Sequence, residues 1–155
     1  VPTLTAMKDW NMGQLHEAHV KELQSNTRPF NVLSTNSAWL MSSLTMGANG
    51  LLSGSGSVIA DLQVALFDAI QAGDLKRARA INERIYPTAQ CFYGAPATDM
   101  HNRMKEALVM LGRLPRAVVR PPLTKLTEAE LATIRVAIEE AGLTYEGADI
   151  LQRAA

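Results

Sequence analysis

Lys8 closes the run VPTLTAMK, a largely apolar stretch that reads as a buried strand. Lysine is among the side chains least often fully buried. At the end of a hydrophobic strand it either reaches out to solvent or its amine has work to do. Other groups with chemical capacity lie further along. His16-Glu17-Ala18-His19 is similar to a zinc motif, but such motifs place two histidines four apart on one helical face. Here they stand three apart, so a surface helix is expected and no metal site. In GLLSGSGSV, Gly54 and Gly56 permit tight backbone geometry, and exposed amides ahead of the next helix could hold an anion. The alternative is a turn needed only for packing. A dinucleotide fingerprint is excluded, because Ile59 stands at the third glycine position and no strand follows the helix. Cys91 has neither a helix start nor a basic setting, which reads as a buried spectator thiol. His101 has no partner in sequence, and Met41, Met46, Met104 and Met110 fall at core-like spacing.

Composition narrows the classes. The chain has 155 residues, enough for one core, with 47% apolar and 19% charged residues. Fifteen basic residues balance fifteen acidic ones, so no net field favours nucleic acid or an anionic membrane. Lys76, Arg77 and Arg79 are interrupted by alanine and followed by Glu83, the pattern of a solvated helix face. A single cysteine rules out an intramolecular disulfide framework and fits a reducing, cytoplasmic setting. No apolar run approaches the roughly 18 residues of a membrane helix.

The elements that must position these groups follow from periodicity. Strand-like runs at Thr3–Lys8, Phe30–Ser34 and Gly50–Ser53 alternate with helical patterns at Gly13–Gln24, Ser37–Met46 and Ser57–Gln71. Such alternation means βα units and a parallel sheet, and strands apolar throughout predict burial of both faces. After Gly73 the pattern is helical. Asp74 caps Leu75–Tyr86, and Pro87 should break or kink the helix there. Met100–Leu111 ends at Gly112, and Arg113–Leu123 is a proline-bearing connector. Thr127 and Glu130 form a capping box opening a helix with Leu131, Ile134, Ile138 and Ala141 inward. A last short amphipathic segment holds Ile150 and Leu151. Three parallel strands leave two open edges and too few helices for two faces, so further βα repeats are expected before Val1.

In order and spacing, AMKD (Ala6–Asp9), GANGLLSGSGSV (Gly47–Val58), AGDLKRARAINERIYP (Ala72–Pro87), the KEAL–LG arrangement at Lys105–Gly112 and RPPLTKLTEAE (Arg120–Glu130) resemble the C-terminal half of one superfamily. That is the dihydrodipicolinate synthase / N-acetylneuraminate lyase superfamily of Schiff-base-forming barrels, and the resemblance covers about Thr3–Leu143. It implies an α/β fold made of the last three βα units of a (β/α)8 TIM barrel, residues 1–73, followed by a C-terminal helical extension, residues 74–155. A complete barrel takes about 250 residues. The resemblance also implies that an N-terminal half supplies a carboxylate-gripping loop and a proton-relaying tyrosine. Tyr86, Tyr93 and Tyr145 match neither.

Lys8 matches the family's Schiff-base lysine. Only a primary amine condenses with a ketone to an iminium, which is an electron sink for the bond that breaks next. The amine must be neutral to attack, and a buried strand end favours the neutral form. Asp9 should point away from Lys8, with a helix or loop hydrogen-bonding role expected ahead of acid–base catalysis. The resemblance further implies that Ser34, Thr35, Asn36, Leu52, Ser53 and Gly54 line the substrate site. Ser34-Thr35-Asn36 stands where many relatives carry Ser-Gly-Asp. Trp10 and Asn11 replace small residues there, which points to a different pocket or lid, or to Trp10 packing on a helix. The resemblance implies a lyase acting on pyruvate or a hydroxylated 2-oxo acid, and the small hydroxyl and amide residues ending the second strand favour the 2-keto-3-deoxy sugar acid type. Dihydrodipicolinate synthase-like condensation and a non-catalytic half-barrel acting as an assembly subunit are the alternatives. Also implied are a small 2-oxo acid partner, the N-terminal half of the barrel and a homo-oligomer, tetramer favoured, with no cofactor and no metal.

Overall fold

The computed structural model describes residues 3–25, 27–28 and 30–145. Ile150 and Leu151 lie outside them. The described residues group into two compact units divided between Asn82 and Glu83.

The first unit holds β1 (Ala6–Asp9), α1 (Gly13–Gln24), β2 (Asn31–Ser34), α2 (Leu40–Thr45), β3 (Gly50–Leu51), α3 (Gly56–Gln71) and the start of α4 (Leu75–Tyr93). The strands form one parallel sheet in the order β1-β2-β3. Lys8 registers with Leu33 and Leu33 with Gly50; Asp9 registers with Ser34 and Ser34 with Leu51. Registered residues of parallel neighbours share a face, and successive residues alternate. Lys8, Leu33 and Gly50 therefore lie on one face, and Met7, Asp9, Val32, Ser34 and Leu51 on the other.

The two faces differ in burial, which corrects the expectation that both are covered. Val32 packs with Val20 and Ala48, with Met7 and Leu23 partly buried against them, so helices cover that side. On the other face Ala6 and Lys8 are exposed and Leu33 is half-buried. The apolar run was a poor guide here because Ala6 and Lys8 project where no described element packs.

α3 has its buried stripe at Val58, Ile59, Leu62, Leu66 and Ala69, as its period predicts, with a kink at Ile59 (φ −120°, ψ 37°). Asp74 caps α4, its Oδ1 accepting from Arg77 N at 2.9 Å. Pro87 does not break α4, which runs on to Tyr93. A stripe of buried residues, Ala78, Ile81, Ile85, Ala89 and Phe92, continues across the proline, and Thr88 Oγ1 donates to Ile85 O at 2.7 Å. Apolar burial on both sides of the proline holds the helix together where local propensity would end it.

The rest of α4, a 3₁₀ turn (Ala97–Asp99), α5 (Met100–Met110) and α6 (Glu128–Glu140) make up the second unit. Gly112, at φ +75°, ends α5 as expected: its N–H donates to Val109 O at 3.0 Å and Arg113 N to Leu108 O at 2.8 Å. Thr127 and Glu130 form the expected capping box. Arg103, 5% exposed, donates to Phe92 O, Gly94 O and Ala95 O and so satisfies carbonyls at the end of α4.

Candidate functional site

The residues singled out for chemistry gather at the C-terminal ends of three adjacent parallel strands. Lys8 is the third residue of β1 and its side chain is exposed. This corrects the expectation of a buried lysine: β1 is the outer strand of this sheet, and nothing described covers its Lys8 face. Leu52 N donates to Ser34 O at 2.8 Å, which carries the ladder one residue past β3. Alternation then puts Leu52, 50% exposed, on the face of Gly50, Leu33 and Lys8. A Cβ at Gly50 would lie 2.5 Å from Leu33 Cδ2, so the glycine leaves the Leu33 side chain its present place on that face. The open face thus presents one amine beside two leucine side chains.

Ser34 is fully buried on the opposite face, and its Oγ has no hydrogen-bond partner among the described residues. Thr35 and Asn36 follow it and are buried; Thr35 N donates to Asp9 O at 3.0 Å and Trp39 N to Asn36 O at 2.9 Å. Ser53 joins a cluster of hydroxyls. Its Oγ bonds Ser37 Oγ at short range and Ser55 Oγ at 3.0 Å, and Gln63 Nε2 donates to Ser53 at 3.1 Å and to Ser55 at 2.9 Å. Gly54 O accepts from Ser57 Oγ at 3.0 Å. Gln63, buried on α3, went unremarked in the sequence because an amide inside an apolar helical stripe carries no motif.

Asp9 anchors a second network behind the strand end. It is 1% exposed. Its Oδ1 accepts from Asn11 N at 3.0 Å and Asn11 Nδ2 at 2.7 Å, and its Oδ2 meets His16 Nδ1 at 2.8 Å and His19 Nδ1 at 2.9 Å. The hydrogen-bonding role expected of Asp9 is the one it has. Burial alone would push this carboxyl up; the Asn11 N–H, His19, the Asn11 amide and His16 outweigh it and hold the group well below the usual carboxylate range. A carboxylate only accepts, so both rings carry their proton at Nδ1. His16 Nε2 then lies 2.7 Å from Ser43 Oγ on α2, and Trp39 packs edge-on against the ring, centroids 5.5 Å apart. His16 is fully buried, which corrects the surface-helix expectation for that side chain. Both rings meet one carboxylate oxygen at hydrogen-bond distance, and no group able to hold a metal ion occurs among the described residues.

In the second unit a cavity of about 570 Å³ is lined by Tyr86, Pro87, Gln90, Cys91, Val136 and Glu140 among others. It offers no amine to a carbonyl. Cys91 is half-buried, and burial pushes its thiol up against the opposing pull of Arg103.

Parallel strands whose C-terminal ends carry the reactive side chains are the arrangement of α/β barrel enzymes. The family model of the dihydrodipicolinate synthetase family matches residues 1–141, and the chain belongs to that family. It is 33% identical over 144 residues to the 4-hydroxy-tetrahydrodipicolinate synthase of Symbiobacterium thermophilum, covering 92% of this chain and 46% of that one. It is 28% identical over 111 residues to the putative 2-dehydro-3-deoxy-D-gluconate aldolase YagE of Escherichia coli, covering 72% and 36%. Among solved structures, dihydrodipicolinate synthase from Aquifex aeolicus superposes with TM-score 0.77 at 21% identity over 94% of this chain and 48% of the other. YagE from Escherichia coli in complex with pyruvate gives 0.78 at 24% over 90% and 46%. These structures share the fold, and the chain spans a little under half the length of the relatives that match most of it.

Proposed function

We propose that the protein carrying this chain is a lyase that works through a Schiff base on Lys8, with pyruvate or a hydroxylated 2-oxo acid as substrate. One observation carries the reading. The only amine contributed by the three strands stands at the end of β1, on the open face with Leu33 and Leu52. The neutral amine adds to the keto carbon, the carbinolamine loses water, and the iminium accepts the electron pair released when the bond at the neighbouring carbon breaks. Cleavage, condensation and loss of water are all open to that intermediate. In this reading Thr35, Asn36, Leu52, Ser53 and Gly54 border the substrate, and Ser34 supports the strand end from behind. The 2-keto-3-deoxy sugar acid class is favoured by the hydroxyl and amide side chains at the end of β2 and by the likeness to YagE, named as an aldolase.

The same proposal treats the strands as the last three of an eight-stranded barrel and residues 74–155 as its helical extension. Its support is the uncovered Lys8 face, the outer positions of β1 and β3, and a groove of about 320 Å³ beside β3 lined by Gly50, Leu51, Ala60, Gln63, Val64 and Phe67 among others. An N-terminal half of the barrel is the partner proposed for these surfaces, and closing it over the lysine would supply the water-poor setting the amine needs. A homo-tetramer and a cytoplasmic location belong to the same proposal. No helix among the described residues is long and apolar enough to cross a membrane. A second reading, condensation of the dihydrodipicolinate synthase type, is favoured by the 33% identity to a protein of that name.

Borohydride reduction of the intact protein with pyruvate tests the proposal. One adduct on Lys8, found by peptide mass mapping, is the expected result. No adduct, or an adduct only at another lysine, overturns it.

A further inference from the structure

We propose that His16 and His19 are positioning residues for Lys8, gripping Asp9 so that the end of β1 can present the lysine to the open face in one orientation only. The inference rests on the Schiff-base reading of Lys8 and concerns what holds that residue in place. β1 is bonded on one side to β2, through the register pairs and the Thr35 N to Asp9 O bond of 3.0 Å. On its other side no described strand pairs with it. Ladder bonds along the edges of a strand leave its last residues able to twist about the strand axis, and because Lys8 and Asp9 alternate, any rotation of one swings the other.

The grip on Asp9 removes that freedom. His16 and His19 stand three apart on α1, which places both rings on one face of the helix, and both reach the same oxygen, at 2.8 and 2.9 Å. Asn11 holds the other oxygen through its backbone and side chain. His16 extends the chain of contacts to Ser43 on α2 at 2.7 Å. The end of β1 is thereby tied to both helices behind the sheet. Asp9, His16 and Ser43 also match the order of a nucleophilic triad. Ser43, however, is fully buried in α2, and added chain can only bury it further, so its hydroxyl meets no substrate. The network serves position, not nucleophilic attack.

The test measures the rate of borohydride-trapped adduct formation on Lys8 across pyruvate concentrations in the intact protein. His19→Ala should lower the maximal rate by about 10- to 100-fold, the scale expected for misplacing a reacting group by around an ångström. The half-saturating pyruvate concentration should stay the same. His19→Asn, whose amide N–H takes the place of Nδ1–H, should restore most of the rate. His19→Gln, whose donor is displaced, should be as slow as alanine and covers the case of an alanine variant that does not fold. Asp9→Asn should be slow by itself, and adding His19→Ala to it should cost little more. Lys21→Ala, which removes the exposed α1 pair with Glu17, should trap at the wild-type rate. Trapping by His19→Ala and Asp9→Asn at the wild-type rate, or a loss that His19→Asn fails to rescue, overturns the inference while leaving the Schiff base standing. A wild-type protein that forms no adduct on Lys8 overturns both.

Discussion

Lys8 and Asp9 are neighbours in the chain and opposites in environment: the lysine is exposed, while the aspartate beside it is 1% exposed and receives four hydrogen bonds. The pleat of β1 puts the amine on one face of the strand and the hydrogen-bonded carboxylate on the other. Substitutions on either side of the strand should therefore fail in different ways.

Lys8→Arg keeps the charge and removes the primary amine. It should abolish borohydride-trapped adduct formation entirely. Because the side chain is exposed, unfolding free energy in urea should stay within about 0.5 kcal/mol of wild type. Loss of both properties together would make Lys8 a structural residue.

Asp9→Asn should act on stability and on its pH dependence. The amide offers its own N–H to a site built of donors, which should cost about 1–3 kcal/mol at neutral pH. Asp9 has its carboxyl pulled down in the folded protein, so its contribution is complete above the unfolded value of about 3.9 and is lost as pH falls from there towards the folded one. Urea midpoints measured from pH 5 downwards should fall more steeply for wild type than for Asp9→Asn. Parallel slopes would remove Asp9 from the acid response.

Gly50→Ala places a methyl group 2.5 Å from Leu33 Cδ2. Leu33 can turn away at the end of its side chain, and the open face beside Lys8 is where it has room. Stability should change by under about 1.5 kcal/mol, the range of tolerated core changes. The half-saturating pyruvate concentration for trapping should rise. An unchanged value would mean that Leu33 does not border the substrate.

Thr127→Ala deletes the hydroxyl that accepts from Glu130 N at 3.3 Å and donates to the Glu130 carboxylate at 2.8 Å. A loss of about 1 kcal/mol is expected, visible as a lower thermal midpoint, with Thr127→Ser close to wild type. The two Thr127 donors, backbone and hydroxyl, hold Glu130 below its usual range, so the advantage over alanine should shrink as pH drops through the carboxylate range.

Cys91 should react more slowly than free cysteine with an aromatic disulfide at pH 7, because burial holds its thiol protonated. Its rate should climb with pH past the value at which free cysteine levels off. Reaction at the free-cysteine rate would show the thiol to be open and activated.

The order of elements was legible in the sequence because each signal is local. Alternating runs marked three βα units, Asp74 and Thr127 announced the caps they form, and Gly112 stood where a helix needs positive φ. Lys8 stood out for the same reason, as a cation closing an apolar run. What local pattern could not carry was sidedness. Whether Lys8 is enclosed depends on which face of β1 the helices cover, and whether His16 is solvated depends on a carboxylate seven residues back and a hydroxyl 27 residues ahead. The persistence of α4 through Pro87 likewise depends on burial along its whole length. Periodicity sets which residues share a face; only packing decides what that face meets, because contact energies between distant residues exist only once the chain has closed on itself.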